Sequence, residues 1–172
     1  MIHNTDKSSC MRLLAKVLVL ALAFSVIGVA GMVAHFLLEE YSGMAWSAGM
    51  VAAGILHVAV RAMAGLRTAP IERPVKIHLA LAFLNALAAA IVGILLGVNK
   101  VRPFLPGPTL SIVYGHAHLA AIGWGSMMVA GTGYRLLPMV LPSAMPRGRS
   151  LYLSAVLLEA GAVGLFVSFI ME

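Results

Sequence analysis

A single cysteine, Cys10, excludes an intramolecular disulfide and any metal site built from several thiolates. Charge is almost as scarce. Asp, Glu, Lys and Arg make up 10% of the 172 residues, against about a quarter in a soluble domain, which excludes an ordinary water-solvated globule. The familiar catalytic signatures are missing as well. There is no His-Glu-x-x-His zinc motif, no Gly-x-Ser-x-Gly elbow and no phosphate-binding glycine loop. Gly131-Thr-Gly133 is too short to invoke a nucleotide. Hydrolase and nucleotide chemistry therefore have no footing here. The formal charge of +6 would suggest nucleic acid on a soluble surface, but these cations lie between apolar runs, where membrane topology accounts for them.

The chain does have long apolar runs: 61% of its residues are hydrophobic. Five of these runs approach the ~20 residues that cross a bilayer core, over residues 13–38, 43–66, 77–98, 112–141 and 151–171. The expected fold is all-α, an integral membrane helical bundle of five transmembrane helices in one domain. The fourth run is long and implies tilt or an interfacial end. Glu39-Glu40 reads as a tight turn. The connections near 67–76 and 99–109 carry the helix-stopping Pro70, Pro74, Pro103, Pro106 and Pro108. The first run exceeds a typical signal-peptide core and no clean small-residue cleavage site follows, so a retained helix is expected.

Basic residues set the orientation. Lys7, Arg12, Lys16, Arg61, Arg67, Arg73, Lys76, Arg135, Arg147 and Arg149 fall on the N-terminal side, ten of the twelve in the chain. Lys100 and Arg102 fall on the other, with Glu39, Glu40 and Glu172. The N-terminus is expected in the cytoplasm and the C-terminus in the periplasm of a bacterial-type inner membrane, with Cys10 a cytosolic free thiol.

Topology turns sequence positions into depths. In Tyr114-Gly-His-Ala-His-Leu-Ala-Ala-Ile-Gly-Trp-Gly the fourth span carries His116 and His118 one to two turns from its outer end. His35 sits about one turn from the outer end of the first span. These imidazoles share a depth on different helices, as two axial ligands of one haem iron would. His57 lies deeper, ~20 Å from the outer end of the second span at 1.5 Å rise per residue. It reads as a ligand of a second haem or as a partner of Arg61. His116 and His118 are about 200° apart around a regular helix, so only one of them can face a given iron. His78, beside Arg73 and Lys76, reads as an interfacial, snorkelling side chain, and His3 as solvated. Small residues (Gly115, Gly123, Gly125, Gly131, Gly133, and Gly93-x-x-x-Gly97) permit close helix packing or a flat slot for a macrocycle. Met127 and Met128 are further possible axial ligands. Glu159 is the one acid well inside a span. A carboxyl there is expected to be neutral, hydrogen-bonded to another helix or part of a proton path.

The stretch from His116 to Tyr134-Arg-Leu-Leu-Pro138 resembles the haem-ligating helix of the large subunit (subunit I) of nitric oxide reductases and haem–copper oxidases. The resemblance covers roughly residues 76–142. In that family a histidine near the outer end of an inward-running helix binds a low-spin b-type haem. The resemblance implies that role for His118 or His116, with His118 preferred as the deeper, and it implies one b haem; a second, at His57, would make two. It also implies an outward-running helix over 77–98. The chain contains no later histidine pair for a copper or iron site, so no oxygen- or nitric-oxide-reducing centre follows. The leading expectation is a small b-haem membrane protein that transfers electrons within a larger complex. His118 or His116 would supply one ligand and His35 or His57 the other. A partner redox subunit or a second copy, and a quinone or periplasmic cytochrome, are the expected associates. The alternatives are a non-redox transporter or a haem or copper assembly factor, with the histidines and Glu159 lining a metal or proton path, and a structural subunit with interfacial histidines.

Overall fold

The computed structural model describes residues 3–144 and 146–171, with side chains from Met11 onward, so the side chains of His3, Lys7 and Cys10 and all of Glu172 lie outside the described residues. Every regular element among the described residues is helical. In chain order they are α1 (His3–Leu37), α2 (Tyr41–Thr68), α3 (Arg73–Val101), α4 (Thr109–His118), a π-helical segment (Leu119–Ser126), α5 (Met127–Val140) and α6 (Arg149–Met171). Within α1, α2, α3 and α6, four stretches are long and apolar enough to cross a membrane: Met11–Leu37, Tyr41–Thr68, Arg73–Val101 and Arg149–Met171. The chain is thus a helical protein compatible with multi-pass membrane insertion.

The boundaries follow local chemistry. Glu39 takes a positive φ of 56° and reverses the chain. Glu40 then caps α2, its Oε2 accepting from the Gly43 N–H at 2.7 Å. Pro74 occupies the first turn of α3, where its missing N–H costs no intrahelical bond. Beyond the end of α3, the Asn99 side-chain oxygen accepts from the backbone N–H groups of Phe104 and Leu105, both at 2.8 Å. These bonds fix the proline-rich connection.

The fourth apolar run differs from the expectation of one long regular helix. It is helical without a break from 109 to 140, but its middle eight residues are π-helical. Wider turns there re-aim every side chain that follows relative to those before. Such insertions in an α-helix commonly mark functional sites. Gly123-Trp-Gly125 lies inside the segment, and poor helix formers ease the departure from α geometry.

Packing is sequential. α1 rests on α2 and α2 on α3, while α3 meets α4, the π segment and α5, and α6 covers α4 and the π segment. Close approach at these crossings depends on glycine. A Cβ on Gly28 would sit 2.7 Å from the Ser47 carbonyl oxygen, one on Gly97 3.1 Å from the Ala45 backbone, and one on Gly131 2.9 Å from the His78 side chain. The buried apolar side chains are largely alanine, while Leu, Val, Ile and Phe face outward along α1, α2 and α6. Small residues inside and large apolar ones outside reverse the order of a soluble core, as helices solvated by lipid require.

Candidate functional site

α2, α3, α4 and the π segment line a half-open cavity of about 580 Å³. Its floor is one face of α3, made by Phe83, Ala86, Ala89, Ala90, Gly93, Leu96 and Gly97. Ala48, Val51 and Val58 of α2 form one wall, and Val113, His116, Ala120 and Trp124 form the other. His116, Ala120 and Trp124 recur every four residues, so α4 and the π segment present one continuous stripe. Ser25 and Met32 of α1 and Met44 of α2 complete the lining.

His116 is the one imidazole on this cavity. Its Nδ1 lies 2.9 Å from the Ala89 carbonyl oxygen of α3. A carbonyl only accepts, so Nδ1 carries the hydrogen and Nε2 keeps its lone pair. Position 93 lies close beneath the ring, and a Cβ there would come 3.2 Å from His116 Cε1. A histidine whose far nitrogen is anchored to a backbone carbonyl is the arrangement that orients metal-ligating imidazoles.

The other histidines lie elsewhere. His118 faces α6, with its ring 5.0 Å from that of Phe169 and its Nδ1 donating at 2.7 Å to the Tyr114 carbonyl of its own helix. The two imidazoles of the His-x-His pair therefore serve opposite sides of α4. His35 turns to the α1–α2 connection, where Nδ1 lies 3.0 Å from Glu40 Oε2 at ion-pair distance, without the alignment of a hydrogen bond. Glu40 is itself held by the Ser42 hydroxyl and the Gly43 N–H. Those bonds, the Ser42 bond foremost, together with the nearby His35, keep its carboxyl below the usual carboxylate range. The shared depth of His35 and the His116/His118 pair does not bring these side chains together. His57 stands one turn beyond Gly54, off the cavity lining, and its Nε2 is buried without a hydrogen-bonding partner. No cluster of three or more His, Cys, Asp or Glu side chains able to hold a metal ion occurs among the described residues.

His78 overturns the expectation of a snorkelling side chain. It is fully buried. Nδ1 donates to the Pro74 carbonyl at 2.8 Å and Nε2 meets Ser154 Oγ at 3.1 Å, while the Tyr134 ring stands edge-on 5.2 Å away. Proximity to Arg73 and Lys76 in sequence suggested the interface. The helix start is nevertheless covered by α5 and α6. Met127 is also fully buried and lies off the cavity, which meets Met32 and Met44 instead. The only sequence signal for those two sulfurs was their place near the outer ends of facing helices.

Glu159 is hydrogen-bonded to another helix, its Oε2 accepting from Asn85 Nδ2 at 2.8 Å. Asn85 was a lone amide in the middle of the third apolar run and was the available sign of this pairing. It is buried against Gly123 of the π segment, where a Cβ would come within 2.7 Å of its Cγ.

No family model, curated protein or solved structure matches this chain.

Proposed function

We propose that the protein is a small multi-pass membrane protein that binds one b-type haem in the cavity between α2, α3 and α4, where His116 would hold the iron. The observation that carries this reading is the His116 imidazole, pinned through Nδ1 to Ala89, with its free Nε2 on an apolar cavity of about 580 Å³. Three features of the cavity fit the group. The alanine and glycine floor on α3 suits a flat macrocycle, the apolar lining suits its ring, and one imidazole presents a lone pair. A bound haem would supply a one-electron couple whose potential the axial ligands and the apolar surroundings tune. His118, His35 and His57 do not line the cavity, so the reading moves from His118 to His116. Met32 and Met44 are the remaining side chains there with a donor sulfur.

The fourth apolar run, taken with the four long helices, makes five crossings. The excess of Lys and Arg on the N-terminal side supports an inside N-terminus. His116 then lies toward the periplasmic face, where a periplasmic donor or a membrane quinone can exchange electrons with it. With no reducing centre of its own, the protein would act with a partner redox subunit or a second copy.

A second reading has its own observation. No Lys or Arg lines the cavity to meet haem propionates. A ring-bearing apolar ligand with a hydroxyl, such as a quinol, would instead donate to His116 Nε2 and fill the same space.

A reduced-minus-oxidised optical spectrum of the purified protein, with pyridine extraction to type and count the haem, decides between them. The haem reading requires a b-type signal at one equivalent that His116→Ala abolishes. A featureless spectrum, with a quinone in the organic extract of the wild type and not of the variant, would favour the second.

A further inference from the structure

Away from the His116 cavity, α3 and α6 leave between them a groove of about 470 Å³ that opens outward. Ile77 and Leu81 of α3 form one wall, and Tyr152, Val156, Ala160 and Val163 of α6 form the other. Glu159 also borders the groove, but its Oε2 is engaged by the Asn85 amide, and the lining is otherwise apolar. Such a surface suits a hydrocarbon chain. Tyr152 and Val163 are eleven residues apart, ~16 Å along the helix at 1.5 Å rise per residue. That is about half of the ~30 Å hydrocarbon core, so the groove runs through one leaflet.

Charge marks one end of it. Arg73, Ile77 and Leu81 recur every four residues along α3, and Arg149, Tyr152 and Val156 follow at three and four along α6. These are the spacings that share a helix face. Each row of groove residues thus begins with an arginine in the first turn of its helix. Both arginines are exposed, and no ion pair holds either among the described residues. Lys76 and Arg147 lie beside them in sequence, and Glu72 is the one acid at these two helix starts. Lys76 gives one ammonium hydrogen to the Arg67 carbonyl at 3.4 Å and keeps the others. Both helices begin at this end, so their positive dipole ends add to the field. Tyr152 stands one turn in from Arg149 and is 41% exposed, a place where a phenol meets the headgroup level.

We propose that this groove binds one anionic phospholipid of the cytoplasmic leaflet, its headgroup between Arg73 and Arg149 and one acyl chain along Ile77, Leu81, Val156 and Val163. The proposal rests on the multi-pass reading with an inside N-terminus and is independent of what fills the His116 cavity. A basic pocket between spanning helices on the cytoplasmic side selects anionic headgroups. A zwitterionic lipid offers the same phosphate, but its own cation meets the basic residues at the mouth, so net charge discriminates between the two. The apolar walls hold the chain and the arginines choose the head. A lipid seated there ties α6 to α3 beside the Asn85–Glu159 hydrogen bond.

The test is native mass spectrometry of the full chain in neutral detergent, titrated with phosphatidylglycerol or with phosphatidylcholine of the same acyl chains. The wild type should take up one phosphatidylglycerol well before it takes up phosphatidylcholine. Arg73→Gln and Arg149→Gln should each weaken phosphatidylglycerol about fivefold, the scale of one basic residue at an anionic lipid surface, and leave phosphatidylcholine unchanged. Ala160→Phe, on the exposed wall of the groove, should remove the adduct with both arginines in place. Arg61→Gln, on α2 and off the groove, should change nothing. If Ala160→Phe fails to assemble, the two arginine variants still decide. Equal uptake of the two lipids, or a preference that survives both arginine substitutions, would overturn the proposal. So would a lipid-free dimer that Ala160→Phe dissociates, since a second copy would then cover the groove. Mass resolves lipid from any haem, so the two readings fail separately.

Discussion

His78 and His116 both anchor Nδ1 to a backbone carbonyl within hydrogen-bond distance, yet the two imidazoles are equipped for different work. His78 spends its second nitrogen on Ser154 and is fully buried among α3, α5 and α6. His116 leaves Nε2 unpartnered on the wall of a cavity. They meet α3 at different levels. Beside Ala89 and Gly93, small apolar residues leave room for a ligand next to His116, while His78 and Asn85, nearer the start of the helix, are closed by hydrogen bonds to α6. A histidine in an apolar bundle is thus assigned by the state of its second nitrogen and by what borders it, more than by its depth.

The comparison breaks first at the cavity. Gly93→Leu would drive a branched side chain into the space held by the His116 ring. We expect near-complete loss of bound haem with little loss of fold, read as the ratio of haem absorbance to protein. Next comes the region closed by hydrogen bonds. Asn85→Ala removes the donor to Glu159, and an unsatisfied buried polar group costs ~1–3 kcal/mol, seen as a lower midpoint in detergent thermal unfolding. Ser154→Ala strips partners from both His78 and Tyr134 and should fall in the same range. His118→Ala, by contrast, loses a ring contact with Phe169 and a bond to its own helix, so haem content should hold while stability drops by ~1 kcal/mol or less.

The smallest effect lies outside both regions, at the α1–α2 turn. The carboxyl of Glu40 is held below its ordinary range by Ser42, Gly43 and His35. A depressed folded-state value means this stabilisation is present above the unfolded carboxylate pKa and disappears as pH falls through the folded one. Amide exchange at Gly43 should therefore accelerate, relative to the intrinsic rate, on acidification below the ordinary carboxylate range. In Glu40→Gln that pH dependence should vanish.

Much of the fold was legible because apolar length and proline punctuation are local. The ends of α2, α3 and α6 fall within a few residues of the expected runs, and the Glu39-Glu40 turn lies where the charges interrupt the hydropathy. What was not legible depends on rotation about a helix axis. His116 and His118 are two residues apart, and only packing against α3 and α6 decides which of them faces a cavity. The same holds for His78, whose charged neighbours suggested an interface that α5 and α6 cover. His35 shows that shared depth is not shared direction, since a nearby capping carboxylate claims its side chain. The π segment left only Gly123-Trp-Gly125 as a trace, because a continuous apolar run reads the same through π turns as through α turns. Glu159 was conspicuous as a lone acid, whereas its partner Asn85 was hidden in a run read for hydropathy.

The most direct test of the central claim replaces each imidazole of the His-x-His pair by glycine and offers the ligand back. His116→Gly and His118→Gly, expressed with ample haem and purified side by side, are titrated with free imidazole under optical spectroscopy. The account predicts that His116→Gly alone loses the low-spin b-type spectrum, that imidazole restores it, and that His118→Gly matches the wild type throughout. Retention of the spectrum in His116→Gly, with its loss and imidazole rescue in His118→Gly, would contradict the account.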